Sequence, residues 1–579
     1  MTQAKYLLLT GSVLLAACAA QPDPRPEKQI DIPRIEQMPD APQNYLLPDW
    51  AAMTRDLDAY VFDFNATGDF RPFIWIDDSR LNLPIESFGL YTAVGDRRQG
   101  PAKNNGEHHE AICVLGALNG ATLAGIDKSN QNGYDFVRMA QNYFNSATNW
   151  NIVLNNTGPV AGALGGGYTR DFWYDVFPNM LFYSIGARYP EVEGVDPIMR
   201  SIAEQFCRAD SVILATKGDF HMREFDFGNM RVGNTEQMVQ PDAAAGFAYV
   251  LYGAYKKYGD ERYLQAARSA MESLNAETES PFYEVIMPFA VYMAARMNAE
   301  QGTTYDVTKF MNWTFDGDSK SRPGWGVLTG EFDGYEVNGL CGSTSENYGF
   351  AMNTFDLAWA LVPAVRYDQA YARAIGKWMV NAAANSRFYY PQYVAPEHQA
   401  LDRDRALEIS KGLIAYEGFR SQDKYGEKRF EGVRGVAIGD GPGWVAGNPP
   451  ESMLSLYGSM HVGIFGAIIA PTNVEKILRL DCTAADLLPG PCYPTYLYYN
   501  PCQEEARVAV TVDKALPGDR FDLYDIVSRR ILAKQAASGD TITLPADSAA
   551  VIVILPAGCE IVHRNGRTLA NGIVIDYKG

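Results

Sequence analysis

The strongest constraint on the fold is a pattern that repeats between about residues 107 and 470. In each repeat a Gly- and aromatic-rich loop leads into a helix-length run that is apolar on nearly every face, and a run with charges on one face often follows. A helix that is apolar all round must be buried on both sides. The apolar runs begin near Glu107, Asp171, Pro241, Tyr283, Glu346 and Glu451, and charged partners cover about 134–144, 196–208, 261–274 and 369–385. This pattern predicts a mainly α fold, an (α/α)6 toroid whose six inner helices are wrapped by an outer ring.

The C-terminal region, residues 476–579, has a different pattern. Short runs rich in β-branched and aromatic residues alternate there with turn signals such as Pro517-Gly518-Asp519. We expect strands at about 493–500, 506–512, 520–532, 541–544 and 549–555, folded into a small β-sandwich against the toroid. The toroid would then occupy 44–475, with the aromatic-rich loops of 44–100 as a lid over one mouth of the ring.

The first residues have the pattern of a secretory signal. Lys5 precedes a mostly apolar run that is too short to cross a bilayer. The run ends in Leu15-Ala16-Ala17-Cys18, which resembles the bacterial lipobox. The resemblance implies that residues 1–17 are removed and Cys18 is acylated, although an ordinary signal peptide with an incidental Cys18 is the alternative. The Pro- and charge-rich residues 18–43 are expected to form a flexible tether.

The expected location is the outer membrane of a Gram-negative bacterium, on its periplasmic face or at the cell surface. Ala19 stands where an inner-membrane retention Asp is found in many such lipoproteins. The chain has 50 Lys and Arg against 69 Asp and Glu, a net charge of −19, so nucleic acid is not an expected partner. We expect contact with the membrane only through the lipid anchor, and an oligomer remains open.

Histidine and cysteine usage gives no support for a metal site. The chain has six His, and no C-x-x-C or H-E-x-x-H motif occurs. We expect neither a metal nor an organic cofactor. Cys113, Cys207 and Cys341 are predicted to be buried thiols. In an oxidising compartment, one or two disulfides are expected in the C-terminal region, among Cys482, Cys492, Cys502 and Cys559.

Three features together resemble secreted bacterial toroidal glycoside hydrolases. They are the lipobox, the repeated pairs of inner and outer helices, and the tail segments YLYYNP, DLYDIVSRRIL and ITLPADSAAVIVILPAG. The most similar members act on uronic-acid glycans and include unsaturated glucuronyl hydrolases and β-glucuronidases. The resemblance implies a glycosidase with an oligo- or polysaccharide substrate. It covers most of the mature chain at the level of architecture, and it implies no individual site residue.

Hydrolysis of a glycosidic bond uses two carboxyl groups on opposite sides of that bond. Acids at the starts of the inner helices are the candidates, since their ends face one central space and the helix dipole stabilises a carboxylate there. The same acids would be expected as simple helix caps. The candidates are Glu107, Glu110, Asp171, Asp175, Asp242, Glu284 and Glu346. We predict Asp175 and Asp242 as the acid and base, with Glu346 as the substitute.

Several other side chains have the chemistry to bind a sugar. Guanidinium groups suit a uronate carboxylate, and aromatic rings suit the C–H face of a sugar. Surface ion pairing and core packing are the alternative roles of these residues. The predicted substrate-binding residues are Arg170, Trp173, His109, Arg223, Arg231, Trp325, Tyr335 and Trp444.

Two other functions remain open at this stage. A His in Glu107-His108-His109-Glu110, acting as a base with a Tyr as the acid, would suit a polysaccharide lyase that works by β-elimination. A non-catalytic glycan-binding lipoprotein would need aromatic platforms but no opposed acids. For the hydrolase, inversion is favoured by analogy with many toroids.

Overall fold

The computed structural model describes residues 25–103, 109–157, 171–233, 235–236, 238–421, 428–514 and 516–579. Five sequence-based predictions therefore lie wholly or partly outside the described residues. These are the signal peptide, the acylated Cys18, the first part of the tether, the candidate acid Glu107 and the substrate-binding Arg170.

Six inner helices form a closed ring. They are Ala111–Leu123, Trp173–Gly186, Ala243–Tyr258, Met287–Gln301, Ala351–Ala364 and a last, composite helix made of Leu456–Ser459, Met460–Val462 and Gly463–Ile468. Each packs against the next, and the last packs against the first. At this closure a Cβ on Gly463 would lie 2.2 Å from the backbone of Gly120, so only glycine permits the approach. The predicted (α/α)6 toroid is confirmed.

The outer helices alternate with the inner ones. They are Trp50–Val61, Phe136–Met139 with Ala140–Tyr143, Val195–Thr216, Glu261–Ala276, Val307–Phe315 and Ala372–Asn385. Neither Trp50–Val61 nor Val307–Phe315 was predicted from the sequence. Trp50–Val61 begins where the Asp49 carboxylate accepts a hydrogen bond from the Ala52 N–H (2.9 Å), and it packs against Gly463–Ile468. Part of the expected lid is therefore a helix of the outer ring.

Shorter elements connect the ring helices. The short α-helices are Pro33–Glu36, Arg403–Ser410 and Gly441–Trp444. The short 3-10 helices are Pro101–Lys103, Gln369–Tyr371, Ser386–Tyr389, Pro391–Tyr393, Pro396–His398, Lys428–Phe430 and Pro450–Met453. The strands are Ile74–Asp77, Ser87–Leu90, Phe225–Asp226, Arg231–Val232, Trp325–Val327, Glu331–Phe332, Tyr335–Glu336, Cys341–Ser343, Tyr348–Phe350, Ala415–Tyr416, Gly418–Arg420, Val436–Ile438 and Leu454–Ser455.

The C-terminal region is the predicted β-sandwich. Its six-stranded antiparallel sheet has the order Ile469–Pro471, Leu478–Asp481, Thr495–Asn500, Ser548–Pro556, Phe521–Asp525 and Arg530–Ala536. A two-stranded sheet, Ala506–Ala509 with Thr541–Leu544, covers one face of it, and Ile561–Arg564, Arg567–Ala570 and Ile573–Asp576 form a third sheet. Alternate residues such as Leu497 and Tyr498 point to opposite faces, one to the main core and one to the small sandwich core.

The C-terminal ends of the inner helices are closed by the segment 482–488. Buried Leu487 lies against Gly253, where an added Cβ would come within 2.8 Å of its side chain. The Tyr292 hydroxyl donates to Asp486 (2.6 Å), and Arg296 donates to the Leu487 carbonyl. We call this end the C-terminal mouth and the opposite end, where the inner helices begin, the N-terminal mouth. Residues 482–488, which we call the plug, close the C-terminal mouth, so we look for a functional site at the N-terminal mouth.

Residues 27–43 are not the free tether that was predicted. Ile32 and Ile35 are fully buried, so this segment, which we call the strap, is part of the fold. It follows the outer helix Ala372–Asn385 and continues past its end in the same direction. Successive contacts join Gln29 with Arg373, Glu36 with Lys377, Pro39 with Asn381 and Asn44 with Arg387.

The predicted disulfides are also wrong. Cys482, Cys492, Cys502 and Cys559 are all free thiols, with Cys482 buried in the main core. Cys113 and Cys341 are buried as expected, whereas Cys207 is half-buried. Within the described ranges, no helix is long and apolar enough to span a membrane. No group of three or more His, Cys, Asp or Glu in the same ranges is arranged to hold a metal ion.

Candidate active site

Acidic side chains from several parts of the chain meet at the N-terminal mouth. Glu110 immediately precedes the first inner helix, and Glu284 lies three residues before the fourth. Because the ring contains six helices, these two helices stand opposite one another. Asp171 and Asp242 lie at the starts of the second and third inner helices. Carboxyl groups are therefore presented from opposite sides of one central space.

Glu110 is a buried acid whose carboxyl group is hydrogen-bonded by a neutral side chain. The residue is 4% exposed, and the Asn155 side-chain amide donates a hydrogen bond to its carboxyl group. Burial raises the pKa of Glu110 to about 8, against the lowering effects of Asn155 and Arg98. Glu110 is therefore largely protonated at neutral pH, as a general acid must be.

Glu284 sits in a more polar setting. Its carboxylate pairs with the Arg322 guanidinium, which stacks 3.5 Å from the centre of the Trp325 ring. The Trp325 indole N–H and the Asn353 side chain donate to the Glu284 carbonyl at 2.8 and 2.6 Å. Burial raises the pKa of Glu284 to about 7, while Arg322 opposes this shift. Its side chain is 13% exposed, so it keeps access to solvent.

Two tyrosines link the two opposed glutamates electrostatically. Tyr174 belongs to the second inner helix and Tyr457 to the last. Burial raises the pKa of each hydroxyl well above its ordinary value, and the charges of both Glu110 and Glu284 raise each of them further. The charges of Glu110 and Glu284 therefore both act on the same two hydroxyl groups.

A third acid, Glu417, comes from the segment between two short strands. It lies between Ala415–Tyr416 and Gly418–Arg420, and its carboxylate accepts a hydrogen bond from the Asp440 N–H (3.0 Å). Arg420 pairs with Asp440 at 2.8 Å. Burial, and then the charge of Asp440, raise the pKa of Glu417. This part of the mouth therefore holds one more acid and one more guanidinium.

The second and third inner helices add a hydrogen-bonded group. The Arg223 Nε donates to Asp171 Oδ1 (2.8 Å), and the Tyr283 hydroxyl donates to Asp171 Oδ2 (2.9 Å). The Tyr283 backbone N–H donates to Asp242 Oδ2 (3.1 Å). Burial raises the pKa of Asp242 to about 7. Asp242 is only 2% exposed, and its hydrogen bond to the Tyr283 backbone helps to hold Tyr283 in place next to Glu284 in the chain.

The other two predicted catalytic residues are placed differently. Asp175 is fully buried in the first turn of Trp173–Gly186. Glu346 is exposed in the turn before Tyr348–Phe350. The structure therefore does not bring Asp175, Asp242 and Glu346 together as a solvent-accessible set.

Among the predicted aromatic residues, Trp444 has the most suitable position. It is half-buried, and the Arg98 guanidinium lies 4.8 Å from the centre of its ring. Trp173 is buried beside Tyr174, with ring centres 4.0 Å apart. Trp325 is fully buried behind Glu284, where it supports the acid rather than a sugar.

The remaining predicted binding residues are paired within the protein. His109 is fully buried, with its Nε2 atom 2.8 Å from Asp77. Arg231 is exposed, 3.7 Å from Asp226. Tyr335 packs against Phe388, with ring centres 5.0 Å apart.

Neither Glu417 nor Tyr457 was predicted from the sequence as a site residue. Glu417 lies in the run Ala415-Tyr416-Glu417-Gly418, which resembles many exposed loop segments, and no spacing relates it to the helix starts. Glu110 and Glu284 were among the candidate helix-start acids. No feature of the sequence ranked them above Asp175 or Glu346.

No protein-family model and no curated protein matches the chain. Among solved structures, a GH127 β-L-arabinofuranosidase from Geobacillus stearothermophilus T6 is 10% identical, with a TM-score of 0.31 over 92% of this chain and 85% of that one. Endoglucanase CelQ from Clostridium thermocellum, solved with cellotriose, is 11% identical, with a TM-score of 0.33 over 92% and 99% of the two chains. At such low similarity, the reaction has to be inferred from the side chains at the N-terminal mouth.

Proposed function

We propose that the protein is a glycoside hydrolase that cleaves an oligo- or polysaccharide at the N-terminal mouth. The observation that carries the proposal is the opposed pair Glu110 and Glu284, a buried and a half-buried glutamate with raised pKa values just before the starts of facing inner helices. Opposed carboxyl groups are what hydrolysis of a glycosidic bond requires. This pair replaces Asp175 and Asp242 as the proposed acid and base.

The two environments suggest which glutamate plays which role. Glu110 is protonated at neutral pH and would donate its proton to the leaving oxygen. Glu284, which Arg322 favours in its charged form, would act as the base that activates water in an inverting reaction. Activity would then be greatest between the two pKa values of about 7 and about 8. At lower pH the base is protonated, and at higher pH the acid has lost its proton.

We further propose a uronic-acid glycan as the substrate. The support is a group of guanidinium side chains at the N-terminal mouth, Arg98, Arg223, Arg322 and Arg420, with the aromatic Trp444 beside Arg98. A guanidinium binds a carboxylate in a bidentate geometry. The lyase alternative has less support, because His109, a candidate for its base, is fully buried with its Nε2 atom 2.8 Å from Asp77.

We propose that the protein works as an outer-membrane lipoprotein anchored through Cys18. The support is the Leu15-Ala16-Ala17-Cys18 sequence and the Ala at position 19. Replacing Cys18 with Ser should abolish acylation and release the protein from the membrane fraction, and intact-mass measurement of the mature protein checks both the acylation and the cleavage site.

The catalytic proposal is tested with Glu110→Gln and Glu284→Gln, and Glu261→Gln is the matched control because Glu261 is exposed in the first turn of the outer helix Glu261–Ala276. Wild type and variants are incubated with uronic-acid and neutral glycans, while reducing ends and ultraviolet absorbance are measured in parallel. Loss of acid or base catalysis should lower kcat by about 10²–10⁴-fold in the first two variants only. Full activity in both would overturn the assignment. Products that absorb in the ultraviolet would indicate a lyase, and binding without cleavage would indicate a glycan-binding protein.

A further inference from the structure

We propose that Arg223 determines specificity by binding the carboxylate of the sugar that lies beside Glu284, the sugar whose glycosidic bond is cleaved. The inference rests on the proposed hydrolase function and deepens it. It names the one side chain that distinguishes a uronic acid at this position from the neutral sugar of the same shape.

Arg223 is fixed at the start of the second inner helix. The residues before and after it in the chain are buried. Its Nε donates to Asp171 Oδ1 (2.8 Å), two residues before Trp173–Gly186. The other oxygen of this carboxylate, Oδ2, accepts a hydrogen bond from the Tyr283 hydroxyl (2.9 Å). A guanidinium that is bonded through Nε is held in a defined plane, while its two terminal amino groups stay available for a ligand.

A single tyrosine joins this group to the proposed base. Tyr283 precedes Glu284 in the chain, and the Arg322 guanidinium that pairs with Glu284 lies 5.8 Å from the centre of the Tyr283 ring. The hydroxyl end of the same ring is bonded to Asp171. Asp171 and the Tyr283 side chain thus bridge Arg223 and Glu284. One sugar ring is about as long as a tyrosine side chain, so a sugar that reacts beside Glu284 can extend its carboxylate to Arg223.

The other guanidinium groups of this mouth already bind carboxylates of the protein. In each of them a terminal amino group makes the contact. The pairs are Arg98 with Asp96 (2.6 Å), Arg322 with Glu284 and Arg420 with Asp440 (2.8 Å).

Arg223 differs from them in the atoms that it leaves available. Its terminal amino groups donate no hydrogen bond to any residue in the described ranges, and its side chain is 30% exposed. A bidentate bond to a carboxylate uses two N–H groups of one guanidinium. Arg223 is therefore the guanidinium of this mouth that can receive a substrate carboxylate between its two terminal amino groups.

The expected preference is moderate. Asp171 already pairs with the charge of Arg223, so a uronate gains directed hydrogen bonds there rather than the attraction of an unpaired cation. From the usual strength of hydrogen bonds to charged groups, we expect kcat/KM to favour a uronic acid over the neutral sugar by about 10–100-fold.

The test compares two forms of the same substrates. A panel of uronic-acid oligosaccharides is used as it is and after chemical reduction of the carboxyl groups to primary alcohols, which leaves the linkages intact. Wild type should prefer the unreduced form. Arg223→Gln should lose most of this preference through a higher KM for the unreduced form, with kcat/KM on the reduced form unchanged. Arg223→Lys keeps the charge but not the pair of amino groups, so it should lose part of the preference.

Arg262→Gln is the matched control. Arg262 also bonds an aspartate through Nε, Asp260 at 3.1 Å, but it is exposed on the outer helix Glu261–Ala276. This variant should leave both rates unchanged. If circular dichroism shows that Arg223→Gln does not fold, Arg223→Lys must still show the reduced preference.

Three outcomes would overturn the inference. A merely structural role of Arg223 predicts equal losses on the two substrate forms in its variants. A wild-type enzyme that cleaves both forms equally well would have no carboxylate to recognise. Either result would leave the hydrolase proposal intact, whereas a protein that cleaves no glycan in either form would refute the hydrolase proposal and this inference with it.

Discussion

Asp486 holds the plug of the C-terminal mouth, and replacing it with Asn tests how much that plug stabilises the protein. The Asp486 carboxylate is fully buried, between the Arg366 and Arg296 guanidinium groups, and it also accepts hydrogen bonds from Tyr292 (2.6 Å) and Tyr367 (3.0 Å). Asn has nearly the same shape but no charge. Asp486→Asn therefore removes the carboxylate partner of the buried Arg366, while the buried Arg296 keeps its ion pair with Glu300 (3.4 Å).

The expected magnitude follows from this burial. The Arg296 side chain is 1% exposed and that of Arg366 is 6% exposed, so water cannot replace the lost carboxylate at either group. Removing one partner of a buried ion pair costs about 3–5 kcal/mol. We expect the free energy of unfolding to fall by that amount. The toroid and the sandwich should also separate more readily, because residues 482–488 join them.

Urea-induced unfolding, followed by fluorescence and by circular dichroism, measures this change. The matched control is Asp210→Asn, another buried aspartate, whose carboxylate accepts a hydrogen bond from the Ser269 hydroxyl (2.7 Å). Burial raises the pKa of Asp210 to about 7, so the native protein already holds it partly neutral and the control should lose little stability. Equal effects in the two variants, or a loss below about 1 kcal/mol for Asp486→Asn, would refute the argument.

Three further predictions concern the ring and its mouth. Burial raises the pKa of Glu110 from 4.5 to about 8, so between these pH values the folded protein binds a proton that the unfolded chain has lost. The free energy of unfolding should therefore fall as pH rises from 4.5 to about 8. Urea unfolding at several pH values should show a weaker dependence on pH for Glu110→Gln. Gly116→Ala would place a Cβ 2.3 Å from His461 Nε2, and thermal unfolding should show a loss of about 1–3 kcal/mol. Trp444→Ala, which removes the ring beside Arg98, should raise KM while kcat changes little, as steady-state kinetics on a cleaved glycan would show.

Much of the fold could be predicted because it follows from local patterns. Runs that are apolar on all faces marked the inner helices, and runs rich in aromatic and β-branched residues marked strands such as Thr495–Asn500. The prediction of one strand over 520–532 was wrong, since Arg529 adopts a positive φ of 57° and a turn separates Phe521–Asp525 from Arg530–Ala536. The strap was misjudged because its Pro and charges resemble a linker, whereas Ile32 and Ile35 are buried.

The candidate site could be predicted only as a pool of acids. Glu110, Glu284, Asp175 and Glu346 all stand near starts of inner helices, and sequence alone does not say which carboxyl group is enclosed, exposed or opposed to another. Asp175 lies fully inside the ring wall and Glu346 lies outside it. Glu417 joins the mouth through strand pairing with distant segments, for which the sequence has no local signal.

The sequence by itself determined which helices must be buried, because a helix without a polar face is stable only when other helices surround it. It also determined that a β-rich unit follows the ring. Only the tertiary structure decided which mouth is plugged and which acids face one another. Those features depend on contacts between residues that are hundreds of positions apart, and on the burial that raises the pKa of a carboxyl group once the ring has closed.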